Sequence, residues 1–135
     1  MITELTRMWL TRSTKPFLFK KEYDQELPFS DCDGLGLYVH IPFCRSICSF
    51  CPYCKTLYSE EACSRYIDAL IREIHLAGSQ IPGKKIVTSL YFGGGTPALA
   101  ADRIKEIIDA IQEHFIITQG IGIELHPENI TPRTL

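Results

Sequence analysis

The sequence has no block of lysine and arginine: 14 basic residues stand against 16 acidic ones, for a formal charge of -2 and a pI of about 6.1. A surface that tracks phosphates is therefore not expected, and nucleic acid is not the default partner. No apolar run approaches the roughly 20 residues that span a bilayer. The first ten residues, MITELTRMWL, carry charges at Glu4 and Arg7 and lack the apolar stretch of a signal peptide, so a reducing, cytoplasmic location is expected. G-x-G-x-x-G and the G-K-[ST] ending are also missing, which removes the dinucleotide fingerprint and the P-loop. With 45% hydrophobic and 22% charged residues, the composition excludes disorder, collagen repeats and coiled coil, and 135 residues suffice for one ordinary domain.

What the sequence has in excess is cysteine. Six are present, and Cys44, Cys48, Cys51 and Cys54 fall within eleven positions. In a reducing compartment such crowding reads as metal binding or catalysis before it reads as a disulfide framework. The segment Cys44-Arg45-Ser46-Ile47-Cys48-Ser49-Phe50-Cys51 has the spacing C-x3-C-x2-C, which lets one short loop wrap three thiolates around an iron-sulfur cluster. Three protein ligands would leave one iron open to an outside ligand, by the logic that separates open catalytic sites from closed structural ones. Cys48, Cys51 and Cys54 also read C-x2-C-x2-C, and with Cys44 they make a candidate four-thiolate zinc site. Spacing alone leaves both metals open. Cys32 and Cys63 read as small buried or partly buried side chains rather than ligands.

Around this loop the chain alternates strand and helix. Residues 1–35 read as a leader in which Ile2, Leu5, Met8 and Trp9 have helical spacing up to Lys15-Pro16. Leu37 to Ile41 reads as a buried strand closed by Pro42. Ser59 is the expected N-cap of an amphipathic helix with Glu60 and Glu61 in its first turn, with Tyr66, Ile67, Leu70, Ile71 and Ile74 inward, running up to Gly78. A second strand, Ile86 to Phe92, runs into Gly93-Gly94-Gly95-Thr96-Pro97. Ile104, Ile107, Ile108, Ile111 and Phe115 mark the next apolar helix face, and Ile121 to Leu125 a third strand. This order predicts an α/β fold of parallel βα repeats with right-handed crossovers, its helices covering one face of the sheet.

In such folds ligand groups gather at the carboxyl ends of the strands, where the cysteine loop, the glycine loop and Glu124 all fall. Three consecutive glycines permit positive φ and close approach of a ligand to the backbone, whose N–H and C=O groups then do the recognising. The plain alternative is a tight strand-to-helix turn. Glu124, inside an apolar strand, must either face solvent or find a donor. His40 reads as a hydrogen-bonded structural side chain. His75, His114 and His126 show no i, i+4 ligand pair and receive no role.

Tyr38-Val39-His40-Ile41-Pro42-Phe43-Cys44, the cysteine loop with an aromatic before its last cysteine, Gly93 to Pro97, and Ile123-Glu124-Leu125-His126-Pro127 together resemble the radical S-adenosylmethionine superfamily. More narrowly they are similar to the branch of oxygen-independent coproporphyrinogen III dehydrogenase (oxidase) and its related haem chaperones. The resemblance runs from Leu37 to the C-terminus, roughly 99 residues. It implies a [4Fe-4S] cluster on Cys44, Cys48 and Cys51, with S-adenosylmethionine chelating the fourth iron. It implies that Gly94, Gly95 and Thr96 hold the amino-acid end of that cofactor, Tyr38 and Glu124 its ribose or methionine portion, and Phe50 its adenine. The implied chemistry is reductive cleavage to methionine and a 5′-deoxyadenosyl radical that takes hydrogen from a substrate. A porphyrinogen-like small molecule or haem is the implied partner, with flavodoxin or ferredoxin as electron donor.

Where the porphyrinogen enzyme has C-x3-C-x2-C-x-C, this chain has Tyr53 in the last place and Cys54 one later, and the chaperones usually carry an aromatic residue there. Coproporphyrinogen oxidation in haem biosynthesis is the first expectation, with haem trafficking and radical methyl transfer as alternatives. The resemblance also reinterprets the length. A barrel of eight βα units in about 250 residues uses about 31 per unit. Residues 36–135 therefore amount to the N-terminal portion of a core domain, half of a partial (β/α)6 TIM-like barrel. Thr131 to Leu135 reads as the start of a further helix, and a half sheet is expected to leave an unpaired edge and an exposed apolar face.

Overall fold

The computed structural model describes residues 32–129, and the expected leader helix and the segment from Thr131 to Leu135 lie outside them. Strand β1 (Gly34–Ile41) pairs in parallel with β4 (Lys85–Gly94), and β4 pairs in parallel with both β5 (Phe115–Ile117) and β6 (Ile121–Ile123). Helix α1 (Glu60–Ser79) makes the first crossover and α2 (Ala101–His114) the second. The α/β class and the parallel βα repeats are thus as the periodicity predicts. β1 begins at Gly34 rather than Leu37, so the last two residues assigned to the leader are part of the sheet, and Leu35 is buried.

Alternation along the strands sets the core. On β1, Leu35, Val39 and Ile41 turn toward the helices, and on β4 Val87, Leu90 and Phe92 do. Val87 and Leu90 share a face although three positions apart, because Leu35 pairs with Val87 and Gly36 with Ser89. Thr88 is the extra residue of this bulge, and it shifts the alternation by one. Against this face α1 sets Ile67 and α2 sets Ile107 and Ile111, all essentially solvent-free. Burying a side chain of this size contributes roughly 1.5–3 kcal/mol, so the sheet-helix layer dominates stability.

The ends of α1 follow the sequence. Ser59 Oγ accepts the Ala62 amide hydrogen at 3.2 Å, Glu60 and Glu61 lie in the first turn, and the helix runs to Ser79, one residue past Gly78. The helices are also tied by Arg103, whose guanidinium meets Asp68 on α1 at 2.8 Å and Glu106 on its own helix at 2.7 Å. Those carboxylates hold the guanidinium charged.

Two expectations need correction, one about the end of α2 and one about the third strand. Phe115 leaves the helix: its backbone is extended (φ -132°, ψ 158°), it pairs with Lys85 and it opens β5, as the β-branched Ile116 and Ile117 favour. β5 is thus an additional strand ahead of the expected one, and between it and β6 both the amide and the hydroxyl of Thr118 donate to the Val87 carbonyl, at 3.0 and 3.2 Å. β6 ends at Ile123, so Glu124 follows the strand instead of lying within it, although its amide still donates to the Phe92 carbonyl at 2.9 Å.

The sheet face away from α1 and α2 carries the exposed Tyr38, Ile86, Tyr91 and Ile116. Ile121 and Ile123 lie in register with Leu90 and Phe92, on the helix side, yet both are exposed. Exposed apolar side chains thus occur on both faces of the sheet among the described residues. No helix among them is long and apolar enough to cross a membrane.

Candidate cofactor and metal site

The register brings three strand ends side by side. His40 pairs with Gly93, Ile41 with Gly94, and Phe92 with Ile123, so the cysteine loop after β1, the glycine loop after β4 and Glu124 after β6 emerge from one edge.

The cysteine loop is closed at its base by an element the sequence reading misses. β2 (Phe43–Cys44) and β3 (Thr56–Leu57) pair in parallel, with the Thr56 amide donating to the Pro42 carbonyl at 2.8 Å and the Tyr58 amide to the Cys44 carbonyl at 2.9 Å. Two-residue strands carry too little pattern to be read from sequence. Within the loop the Cys51 amide donates to the Cys48 carbonyl at 3.3 Å, and the Lys55 ammonium to the Cys51 carbonyl. All six cysteines are free thiols, which leaves this loop without a disulfide. Cys44 is half-buried at the sheet, whereas Cys48 and Cys54 are exposed. The three loop thiols are not drawn together into a ligand cluster.

His40 is structural, as expected. The Cys54 carbonyl, 3.0 Å from Nε2, can only accept, so Nε2 carries the proton and Nδ1 takes the Tyr38 hydroxyl hydrogen at 3.2 Å. The Tyr66 hydroxyl holds the His40 carbonyl at 2.7 Å from α1. Burial pushes the Tyr66 phenol up, with smaller contributions from Glu73, Cys54 and Tyr38.

Each glycine of the loop lets a different neighbour approach. A Cβ on Gly93 would lie 2.9 Å from the Tyr38 ring and 3.1 Å from the Glu124 carboxyl carbon. Gly94 has φ of +116°, and its Cβ would lie 2.7 Å from the His40 imidazole. On Gly95 a Cβ would lie 2.5 Å from the Phe43 carbonyl oxygen and 2.9 Å from the Cys44 sulfur. Only glycine lets the sheet, the histidine and the first cysteine close on one another here.

The amides of this loop are engaged within the fold. Gly94 donates to Glu124 Oε2 at 3.1 Å, Gly95 to the Ile41 carbonyl at 2.8 Å, and Thr96 to the Phe43 carbonyl at 2.7 Å. The Gly95 and Thr96 amides hold the start of the cysteine segment against the glycine loop, the Gly94 amide fixes Glu124, and Thr96 is only 8% exposed.

Glu124 finds two donors, the Gly94 amide and the Tyr91 hydroxyl, the latter at 3.3 Å from Oε1. Tyr91 is the residue that sequence reading misses. Its signal is the alternation of β4: Phe92 turns inward, so Tyr91 faces the open side, where it stacks on Tyr38 with ring centres 6.3 Å apart and an interplanar angle of 16°. Both phenols are held above their ordinary ionisation range, first by partial desolvation and next by the Glu124 charge. Phe50 stands on the turn of the cysteine loop at 85% exposure. Cys32 is exposed rather than buried, because it precedes β1 and no element covers it among the described residues, whereas Cys63 is buried as expected and its thiol is pushed up by that burial.

No family model matches the chain. Among curated proteins, an anaerobilin synthase of Escherichia coli O157:H7 is 44% identical over 79 residues, 57% of this chain and 18% of that protein. An oxygen-independent coproporphyrinogen III oxidase of Pseudomonas aeruginosa is 34% identical over 99 residues, 69% of this chain and 22% of that protein. The haem chaperone HemW of Mycobacterium tuberculosis is 30% identical over 103 residues, 72% and 26% of the two chains. The chain thus spans about a fifth to a quarter of the length of the relatives it matches. Among solved structures, coproporphyrinogen III oxidase (HemN) from Escherichia coli, a radical SAM enzyme, matches with a TM-score of 0.66 and 34% identity, covering 73% of this chain and 24% of that one. The chain belongs to the radical S-adenosylmethionine family, in the branch that holds oxygen-independent coproporphyrinogen III oxidase and HemW.

Proposed function

We propose that the chain is the cluster-bearing portion of a radical S-adenosylmethionine enzyme resembling coproporphyrinogen III oxidase, acting in porphyrin or haem biosynthesis in the cytoplasm. The observation that carries this reading is the seat of Cys44 against Gly95, which brings the first cysteine of C-x3-C-x2-C beside the glycine loop and within one strand of Glu124. Cys44, Cys48 and Cys51 would hold a [4Fe-4S] cluster. The donor set fits: three free thiols on one loop with a closed base, Cys44 and Cys51 half-buried and Cys48 exposed. When bound, the cluster and S-adenosylmethionine supply one-electron reductive cleavage of a sulfonium, chemistry that no side chain provides.

The remaining roles fall to the chain itself. Glu124, fixed by the Gly94 amide, offers carboxylate oxygens at the open edge for a ribose hydroxyl or an amine. Gly94, Gly95 and Thr96 keep the glycine loop flat against β1, so that the amino-acid end of the cofactor is able to approach the backbone. Tyr38 borders that space, and Phe50 would fold over the adenine. In half of a partial TIM-like barrel, the exposed apolar sheet surface would be covered by further βα units. Flavodoxin or ferredoxin would supply the electron.

A haem chaperone function is the second reading, and Tyr53 favours it. At 67% exposure on the loop, Tyr53 stands where the oxidase pattern has a fourth cysteine. Anaerobic reconstitution with iron and sulfide, followed by electron paramagnetic resonance with and without S-adenosylmethionine, tests the family chemistry. A reduced-cluster signal that shifts on adding the cofactor is expected, and a signal indifferent to it defeats the proposal. Haem titration together with a 5′-deoxyadenosine assay separates carrier from enzyme.

A further inference from the structure

At the opposite end of the sheet from the cysteine loop, the fold assembles a second set of metal-ligand side chains. His75 comes from α1, Glu113 and His114 from the last turn of α2, and one ligand atom from each lies within 4.8 Å of the others. His75 Nδ1 is 3.0 Å from His114 Nε2 and 3.7 Å from Glu113 Oε2. The position is fixed by the sheet: His114 immediately precedes Phe115, which pairs with Lys85 at the amino end of β4.

The geometry points to a binding site for a divalent transition metal, Zn2+ in the first instance, that clips α1 to α2. Zinc takes imidazole nitrogen and carboxylate oxygen at about 2.0–2.1 Å in a tetrahedron, which sets ligand atoms about 3.3 Å apart, close to the two separations found here. A water would complete the coordination. Two further features support the site. Gly78 on α1 is buried, and a Cβ there would lie 2.2 Å from His114 Cγ, so a glycine inside the helix makes the recess that seats this imidazole. The two rings meet edge to face, at 73° with centres 5.3 Å apart, and this packing brings His75 Nδ1 beside His114 Nε2. Both α1 and α2 also end here, and the negative ends of the helix dipoles favour a cation. Imidazole with carboxylate suits zinc in preference to calcium or magnesium.

This inference is independent of the cluster reading, and its test removes the loop thiols. The full chain with Cys44, Cys48, Cys51 and Cys54 replaced by Ser is titrated with Zn2+ by calorimetry and with Co2+ by visible absorption. One ion per chain is expected, with ligand-field bands and no thiolate charge-transfer band, and a higher melting temperature in the presence of the metal. His75→Gln and Glu113→Gln, both at exposed or half-exposed positions, should each weaken binding by about tenfold or more. If the four-serine chain does not fold, Co2+ titration of the unaltered chain serves instead, because a thiolate-free band lost in His75→Gln marks this site. Absence of binding, or affinity unchanged by His75→Gln, overturns the proposal and leaves a hydrogen-bonded imidazole pair.

Discussion

The amide of Gly94 donates to the carboxylate of Glu124 across 3.1 Å, joining residues thirty positions apart. This bond gives a strand-end carboxylate a fixed direction, and the Tyr91 hydroxyl bonds its other oxygen. Glu124 is therefore positioned by the fold before any ligand arrives.

Glu124→Gln should lower the pH at which the Tyr91 and Tyr38 phenols ionise. The Glu124 charge opposes a phenolate nearby, and it raises both groups after desolvation does. A raised phenol contributes stability below about pH 10 that is lost as pH climbs through its folded value, so the variant should lose less stability in alkali. Phenolate absorbance followed through an alkaline titration checks this; an unmoved curve means that the carboxylate is not the neighbour that matters.

Gly95→Ala and Gly36→Ala should differ sharply. The new methyl at Gly95 meets backbone, the Phe43 carbonyl oxygen at 2.5 Å, and forcing it in should cost roughly 1–3 kcal/mol. At Gly36 nothing lies within 4 Å, and alanine there should be neutral or stabilising by up to about 1 kcal/mol. Urea denaturation midpoints of the two variants read the difference directly.

Cys48→Ala should abolish cluster reconstitution, and Cys54→Ala should leave it intact. Iron content and the electron paramagnetic resonance signal distinguish them. Loss in both variants would instead favour a four-thiolate site.

Thiol labelling of the unreconstituted chain should proceed in two classes. Cys32, Cys48 and Cys54 are exposed and should react quickly, whereas Cys63 is buried in α1 with its thiol pushed up by desolvation and should react last. Labelling of Cys63 at the rate of the others would mean that α1 opens readily from the sheet.

Much of this molecule was legible in local pattern. The cysteine spacing, the glycine run, the Ser59 cap and the period of the helices specify their own segments, because spacing and capping depend on residues a few positions apart. The parallel sheet followed from element order. What stayed hidden depends on neighbours distant in sequence: the bulge at Thr88, the loss of Phe115 from its helix to the sheet, and the β2–β3 pair at the base of the cysteine loop. Tyr91 and the His75–His114 contact were invisible for the same reason, since strand register and helix packing decide which side chains meet. Residue types and their spacing were enough for the family, whereas strand register settled that the Gly95 and Thr96 amides hold the base of the cysteine loop while the Gly94 amide holds Glu124. Amide direction is set by backbone pairing, and no composition or spacing specifies it.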